Sequence, residues 1–314
     1  MTAEAPFRQG RFADLPATPR VPHPFFAAPR EDVVLRAGPL AGTRIAVRTW
    51  GQGPPLLLVH GLMTGGYSFR HVLAPLGARR TLYVPDLPGA GDSDAPAARL
   101  TPEVLGDAIL GVAEALGVAG APVLGNSMGG YVAMHLALRR PSAMAALVNV
   151  HSPGFPELRL HALRGALALP GARWLLHALV ARDPRRWVHR NVHYRDESLK
   201  SLEEADVYGA PLRTVAGRDA FRSYLRDTMD PFAMKRFQAE LGARRAEGLG
   251  FPIPLLLLWA RRDPMVPPSF GPRFAAAIPD AELRWLEDAS HFAHVDQPAA
   301  TADAVLEFLD RQGV

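Results

Sequence analysis

The stretch V-L-G-N-S-M-G-G-Y-V-A, residues 123–133, places a serine between an apolar run and a segment with helical spacing. Gly125 precedes Ser127 by two positions, and Gly129 follows it by two. Because glycine has no Cβ atom, a strand and a helix can approach closely around the serine. Such a turn exposes the hydroxyl beside the N-terminus of the helix, which favours developing negative charge. The pattern predicts a nucleophilic serine, although a serine that only caps a helix also fits it.

Length and composition restrict the classes of protein to consider. The chain has 314 residues, 48% hydrophobic and 21% charged, which suffices for one large domain with an insertion. With a net charge of +4 and no dense basic run, we expect no nucleic-acid partner. The lack of cysteine excludes a disulfide framework, a thiolate zinc site and a cysteine nucleophile. No segment has the pattern of a secretory signal or a membrane span, so we expect a cytoplasmic protein.

Strand-like and helix-like segments alternate along most of the chain. The strand-like segments are residues 44–50, 54–61, 81–89, 121–126, 144–153, 253–263 and 281–288. Helical spacing separates them, for example over 101–118, where Thr101 is a suitable N-cap. Apolar strands separated by helices predict an α/β protein with a mostly parallel sheet of about eight strands and helices on both faces.

The alternation stops between residues 155 and 250, where the pattern is helical only. We therefore predict an α/β core domain over 31–154 and 251–314 with a helical cap inserted over 155–250. Residues 1–30 are rich in proline and alanine and are expected to form an extended arm, with Phe25 and Phe26 docked on the body.

A serine hydroxyl is a weak nucleophile unless a base takes its proton and a third group orients that base. The chain supplies an acid and a base in order: Asp263 directly follows one strand-like segment, and His291 follows the next. We predict that both act on Ser127. Two other histidines are rival bases, but the spacing favours His291 over His294, and His60 is expected to brace a loop.

Four motifs in this order resemble those of the α/β-hydrolase fold superfamily, specifically its serine hydrolases with a helical cap. The matching segments are H-G-L-M at 60–63, D-L-P-G-A-G-D-S at 86–93, the acid motif at 260–267 and the histidine motif at 290–298. Three positions depart from the family pattern: Ala260 and Ser290 replace glycine, and Asp296 replaces glutamate. None of these changes removes a catalytic group.

The resemblance implies a Ser–His–Asp triad. Ser127 would be the nucleophile, His291 the general base and then acid, and Asp263 the residue that orients the imidazole. It also implies an oxyanion hole formed by the backbone N–H groups of Leu62 and Met128.

The cap is expected to roof an apolar pocket. The expected lining residues are Met63, Asn126, His151 and Phe292. Apolar cap residues are expected to pack against the core or to line the pocket; they are Leu158, Leu160, Leu163, Leu167 and the segment 174–180. We expect a small hydrophobic ester as the partner and no cofactor or metal ion, because the mechanism needs only water. The oligomeric state is not predicted.

Ser127 narrows the chemistry further. Haloalkane dehalogenases and cap-bearing epoxide hydrolases use an aspartate there, and dehalogenases carry a halide-holding asparagine where Leu62 stands, so both are disfavoured. We expect a carboxylesterase. The alternatives are a C–C bond hydrolase of ring-cleavage products, a perhydrolase, a thioesterase, or a ligand receptor that has kept the fold. The C–C hydrolases hold the substrate carboxylate with a cap arginine, for which the candidates are Arg190, Arg213, Arg218 and Arg222.

Overall fold

Eight β-strands form the centre of the computed structural model, which describes residues 9–314. They are β1 (Arg30–Val34), β2 (Arg44–Gly51), β3 (Pro55–Val59), β4 (Thr81–Pro85), β5 (Val123–Asn126), β6 (Leu147–Val150), β7 (Leu255–Ala260) and β8 (Glu282–Leu286). Their order in the sheet is β1-β2-β4-β3-β5-β6-β7-β8. The pairs β1–β2 and β2–β4 are antiparallel, and the other five pairs are parallel. The predicted α/β class with a mostly parallel sheet is confirmed.

Helices cover both faces of this sheet. The α-helices are α1 (Leu73–Gly77), α2 (Pro102–Ala115), α3 (Met128–Arg139), α4 (Leu158–Ala168), α5 (Ala172–Arg182), α6 (Pro184–Asn191), α7 (Leu202–Gly209), α8 (Val215–Ser223), α9 (Pro231–Ala246), α10 (Phe270–Ala277), α11 (Ala293–Asp296) and α12 (Pro298–Gln312). Helices α2, α3 and α10 pack into one hydrophobic cluster, and α1 and α12 into another. None of the helices within residues 9–314 combines the length and apolar character needed to cross a membrane.

Strand β3 shows why an unbroken apolar run becomes a central strand. Its alternate residues Leu57 and Val59 belong to the first cluster, whereas Leu56 and Leu58 belong to the second. Successive side chains of a strand point to opposite faces of the sheet, so a strand covered on both faces needs apolar residues at every position. Full burial of each such side chain contributes about 1.5–3 kcal/mol.

The helices α4 to α9 lie between β6 and β7, in the segment predicted as the cap. A buried ion pair ties this segment to the loop after β3: Arg70 Nη2 donates to Glu204 Oε2 at 2.6 Å. The hydroxyl of Tyr194 donates to the same oxygen at 2.7 Å. Burial makes the pair sensitive to the loss of either partner, because the remaining charge would be left without compensation.

The described part of the predicted arm, residues 9–29, packs along the helical segment. The carbonyl groups of Pro16 and Ala17 accept hydrogen bonds from the N–H groups of Leu202 and Glu203, at 2.8 and 3.0 Å. Residues 1–8 of the predicted arm lie outside the described residues.

Only one of the two expected aromatic anchors of the arm is buried. Phe25 packs against the body, whereas Phe26 is 53% exposed. The arm then enters β1, an edge strand that the sequence pattern did not predict.

His135 carries a testable pH dependence. It lies in α3 with its ring stacked on Phe237 at a centroid distance of 4.7 Å, and burial lowers its pKa to about 4. A histidine whose folded pKa lies below its unfolded value of 6.5 stabilises the fold above pH 6.5 and loses that contribution as the pH falls towards 4. When the pH is lowered from 7 to 5, the unfolding free energy of the unmodified protein should therefore fall by ~2 kcal/mol more than that of His135→Phe. Urea unfolding at both pH values measures this difference, and equal losses would contradict it.

Candidate active site

Ser127 occupies a strained turn between β5 and α3. Its φ of 52° and ψ of −121° lie in a region that non-glycine residues rarely adopt, at a cost of about 1–3 kcal/mol. A Cβ atom on Gly125 would lie 2.6 Å from the Cα atom of Gly130. One on Gly129 would lie 2.3 Å from the carbonyl oxygen of Val59. Glycine is therefore required at both positions, as the sequence pattern predicted.

Asp263 and His291 follow β7 and β8 at the same edge of the sheet as Ser127. The Nδ1–H of His291 donates to Oδ2 of Asp263 at 2.7 Å. The other carboxylate oxygen, Oδ1, accepts from the backbone N–H groups of Met265 and Val266 at 2.7 and 2.9 Å. The other ring nitrogen of His291, Nε2, makes no hydrogen bond to another group within residues 9–314.

The environment of Asp263 favours its ionised form. Burial alone would raise the pKa of this carboxyl, but the charge of His291 and hydrogen bonds from histidine outweigh burial and hold the pKa well below its ordinary value. An ionised carboxylate at this place keeps the proton of His291 on Nδ1 and stabilises the imidazolium.

A second histidine, His151, lies beside the same carboxylate. Its Nε2 accepts the backbone N–H of Ala260 at 2.9 Å, so the proton of the neutral ring lies on Nδ1. That Nδ1 atom is 3.1 Å from Oδ2 of Asp263, although its alignment is too poor for a regular hydrogen bond. Burial lowers the pKa of His151, and Asp263 offsets this only in part.

The contact of His151 with Asp263 was not predicted, but a signal for it existed. His151 follows β6, β6 pairs with β7, and Asp263 follows β7. Residues that follow neighbouring parallel strands lie side by side at one edge of the sheet. The φ of His151 is positive, 54°, and no sequence pattern predicts this backbone conformation for a histidine.

The predicted oxyanion donors are the backbone N–H groups of Leu62 and Met128. Within residues 9–314, neither N–H donates to another protein group. Gly61 lies against the turn of residues 125–129, which we call the elbow, because a Cβ atom on Gly61 would be 3.0 Å from the Cβ atom of Ser127. The next turn passes through Met63 with a φ of 62°.

His60 braces this turn. Its Nδ1–H donates to the carbonyl of Gly61 at 2.8 Å, and its Nε2 accepts the N–H of Leu87 at 2.9 Å. Burial lowers the pKa of His60 to about 4, so the ring is neutral at pH 7. Since both nitrogens are engaged, His60 holds the loop and is not a base, as expected.

Three of the four residues predicted to line a pocket have almost no exposed surface. Asn126 donates from Nδ2 to the carbonyl of His291 at 3.1 Å, so it connects the elbow to the histidine loop, residues 290–298. Phe292 packs edge-to-face on Tyr194. His151 contacts Asp263. All three side chains are therefore buried, and only Met63 of the expected lining residues keeps exposed surface.

Residues 54–298 match the family model described as alpha/beta hydrolase fold. The chain belongs to this family. The match spans the elbow, the H-G-L-M turn at 60–63, the acid motif at 260–267 and the histidine motif at 290–298. The α/β-hydrolase superfamily predicted from the four motifs is confirmed.

Individual relatives are similar over most of the chain. The uncharacterized hydrolase YugF of Bacillus subtilis (strain 168) is 26% identical over 263 residues, 81% of this chain and 89% of that protein. The 2-hydroxymuconate semialdehyde hydrolase of Pseudomonas sp. (strain CF600) is 28% identical over 274 residues, 86% of this chain and 91% of that protein. A thermophilic esterase from Thermogutta terrifontis superposes with a TM-score of 0.71 at 22% identity, covering 91% of this chain and 100% of that chain. This last similarity concerns the fold alone.

Proposed function

We propose that this α/β-hydrolase cleaves carboxylic esters of small to medium hydrophobic substrates through an acyl-enzyme on Ser127. The observation that carries the proposal is the 2.7 Å hydrogen bond between Asp263 and His291, at the sheet edge where the strained elbow presents Ser127. A positioned base and its orienting acid are what a serine hydroxyl needs to become nucleophilic.

In the first half of the reaction, the Oγ atom of Ser127 attacks the carbonyl carbon of the ester and its proton passes to Nε2 of His291. The negative charge on the carbonyl oxygen is met by the N–H groups of Leu62 and Met128, each worth about 3 kcal/mol of transition-state stabilisation. Collapse of the tetrahedral intermediate breaks the bond to the alcohol oxygen. His291 returns the proton to that oxygen, and the alcohol leaves.

In the second half, water takes the place of the alcohol. His291 accepts a proton from the water, whose oxygen attacks the acyl carbon. The acyl–oxygen bond to Ser127 then breaks, the proton returns to the serine, and the carboxylic acid leaves. Asp263 remains ionised throughout and stabilises the transient imidazolium.

The preference for hydrophobic substrates follows from the enclosure of the site. Ser127 is 8% exposed and His291 is 1% exposed, and the neighbouring Leu62 and Met63 pack against the hydrophobic clusters. A polar substrate would lose its hydration on entering without gaining matching hydrogen bonds, whereas the burial of apolar groups stabilises the bound substrate.

A C–C bond hydrolase is the second candidate, because the relative from Pseudomonas sp. is named as a 2-hydroxymuconate semialdehyde hydrolase. Three of the four candidate arginines are engaged elsewhere. Arg213 pairs with Asp206. Arg218 and Arg222 donate to backbone carbonyl groups, those of Leu212 and Leu167 respectively. The fourth, Arg190, is exposed and has no partner among the described residues, so a substrate carboxylate of the C–C candidate would depend on this arginine.

Two substrates separate these candidates. If the protein is an esterase, we expect p-nitrophenyl butyrate to release one equivalent of p-nitrophenolate in a burst, followed by slower steady turnover. A 2-hydroxy-6-oxo-dienoate assayed alongside should turn over far more slowly. Faster turnover of the dienoate would establish the C–C candidate instead, and no turnover of either substrate would exclude both.

We also propose that His151 is a positioning residue that holds Asp263 in place. His151→Leu should lower kcat for the ester by about 10- to 100-fold and leave KM nearly unchanged, because the substrate does not touch this buried ring. His151→Gln keeps an amide donor and should recover part of the loss. Steady-state kinetics of both variants test this, and a change in KM alone would contradict the positioning role.

A further inference from the structure

The helices α4 and α5 expose an unusual amount of apolar surface. We call residues 158–182, which contain both helices and the turn between them, the cap hairpin. Eleven large hydrophobic side chains are exposed in residues 9–314, and five of them lie in this 25-residue stretch: Leu158, Leu169, Trp174, Leu175 and Leu179. Leu158 is 85% exposed and Trp174 is 75% exposed. Single exposed leucines are ordinary, but a concentration of this kind marks an interaction surface.

In α5 the apolar residues face outwards together. At about 100° per residue, Trp174, Leu175 and Leu179 lie within an arc of about 140° of the helix, and all three are exposed. The opposite face carries Val180, which is fully buried, and the half-buried Leu176. The helix therefore has an apolar face towards the protein and a second one towards solvent.

Helix α4 repeats this arrangement. Leu158, Ala162 and Leu169 are exposed at helical spacing, whereas Leu167 is buried on the other side. The helices pack against each other and are joined by a turn of three residues. Their outward faces therefore lie on the same part of the protein. The expectation that Leu158 and most of residues 174–180 pack against the core or line the pocket is not met.

The charge of the cap hairpin is of one sign. Residues 158–182 contain four arginines and no aspartate or glutamate. Three of these arginines pair with acidic residues outside the cap hairpin: Arg159 with Glu157, Arg164 with Asp230 and Arg173 with Asp219. Arg182 is exposed and has no partner among the described residues. Arg182 lies on the same face of α5 as Trp174, eight residues earlier. Tryptophan and leucine exposed beside an unpaired arginine are residue types that helices in a membrane interface present to the lipid.

We propose that the cap hairpin docks on a lipid surface that carries anionic headgroups. The apolar side chains would enter the boundary between headgroups and acyl chains, and the arginine would meet the negative charge of the headgroups. A second copy of this chain is a poorer occupant. A two-fold contact of hairpin on hairpin would bring the unpaired Arg182 of both copies into one interface, with no acidic residue in either hairpin to meet it. The proposal does not rest on the proposed function, because lipid binding is measured without a substrate.

Cosedimentation with vesicles tests this proposal. The full chain should sediment with vesicles of phosphatidylcholine and phosphatidylglycerol in equal parts, much less with phosphatidylcholine alone, and less at high salt. The double variant Trp174→Ser/Leu179→Ser should lower the partition constant at least roughly tenfold, since both side chains are exposed and would be buried by docking. Arg182→Glu should lower it by a similar factor on the anionic vesicles.

Val34→Ser is the matched control, because Val34 is an equally exposed hydrophobic residue on the edge strand β1, outside the cap hairpin. This variant should bind as the unmodified protein does, and equal losses in both variants would overturn the proposal. No sedimentation of the unmodified protein with anionic vesicles would also overturn it. Analytical ultracentrifugation without lipid tests whether a second copy of the chain occupies this surface. A dimer that the double substitution dissociates, together with no vesicle binding, would assign the surface to that second copy.

Discussion

Ser127→Ala should lower kcat for p-nitrophenyl butyrate by about 10⁴- to 10⁶-fold, to the residual rate that the oxyanion hole and substrate binding alone support. The reason is the loss of the only atom that can form the acyl-enzyme, while the two backbone N–H donors remain. Alanine fits the elbow sterically, because it removes one oxygen atom from a side chain that is already mostly buried. The measurement is the steady-state rate together with the burst amplitude.

Ser142→Ala is the matched control for this variant, because Ser142 is an exposed serine in the turn after α3. It should keep full activity. The two variants should also unfold at similar urea concentrations, so that a lost rate cannot be assigned to a lost fold. A residual activity of Ser127→Ala within tenfold of the unmodified protein would contradict the role of Ser127.

Asp263→Asn should lower kcat by about 10⁴-fold with a small effect on KM. The amide is nearly the same size as the carboxyl, but it carries no charge to stabilise the imidazolium of His291. Its NH₂ group can only donate, so a rotamer that places this group towards His291 forces the imidazole into the wrong tautomer. The pH dependence of kcat/KM for variant and unmodified protein measures both effects.

Two other acids near the histidine loop give this prediction a sharp control. Asp288 is exposed, so Asp288→Asn should leave kcat unchanged. Asp296 is committed elsewhere, because it accepts from the N–H and the hydroxyl of Ser290 and from the N–H of Arg195. If Asp263→Asn stayed active and Asp296→Asn did not, the assignment of the orienting acid would have to move to Asp296.

The elbow was predictable from the sequence because its chemistry is local. Gly125 is required by a clash with Gly130, and Gly129 by a clash with Val59 of the neighbouring strand β3, and the spacing of both glycines around Ser127 is visible in the sequence. The acid and histidine loops were predictable for a related reason. Each follows an apolar strand of a parallel sheet, and such strands carry their functional residues at their carboxyl ends.

Strand β1 was missed because its sequence, R-E-D-V-V, is polar. An edge strand buries little surface, and only Val33 of β1 is buried, so no apolar pattern marks it. The contact of His151 with Asp263 was missed because it depends on the neighbouring register of β6 and β7 and on an unusual backbone turn. The exposed apolar faces of the cap hairpin were missed because helical spacing predicts a face without saying what covers it.

Trapping the acyl-enzyme tests the nucleophilic role of Ser127 most directly. The full chain would be mixed with excess p-nitrophenyl butyrate, quenched with acid within the burst phase, digested and examined by tandem mass spectrometry. We expect one butyryl group on the peptide that contains the elbow, with fragment ions placing it on Ser127. A protein that turns the ester over with butyrate on a different residue, or with no covalent intermediate at any quench time in the burst, would contradict it.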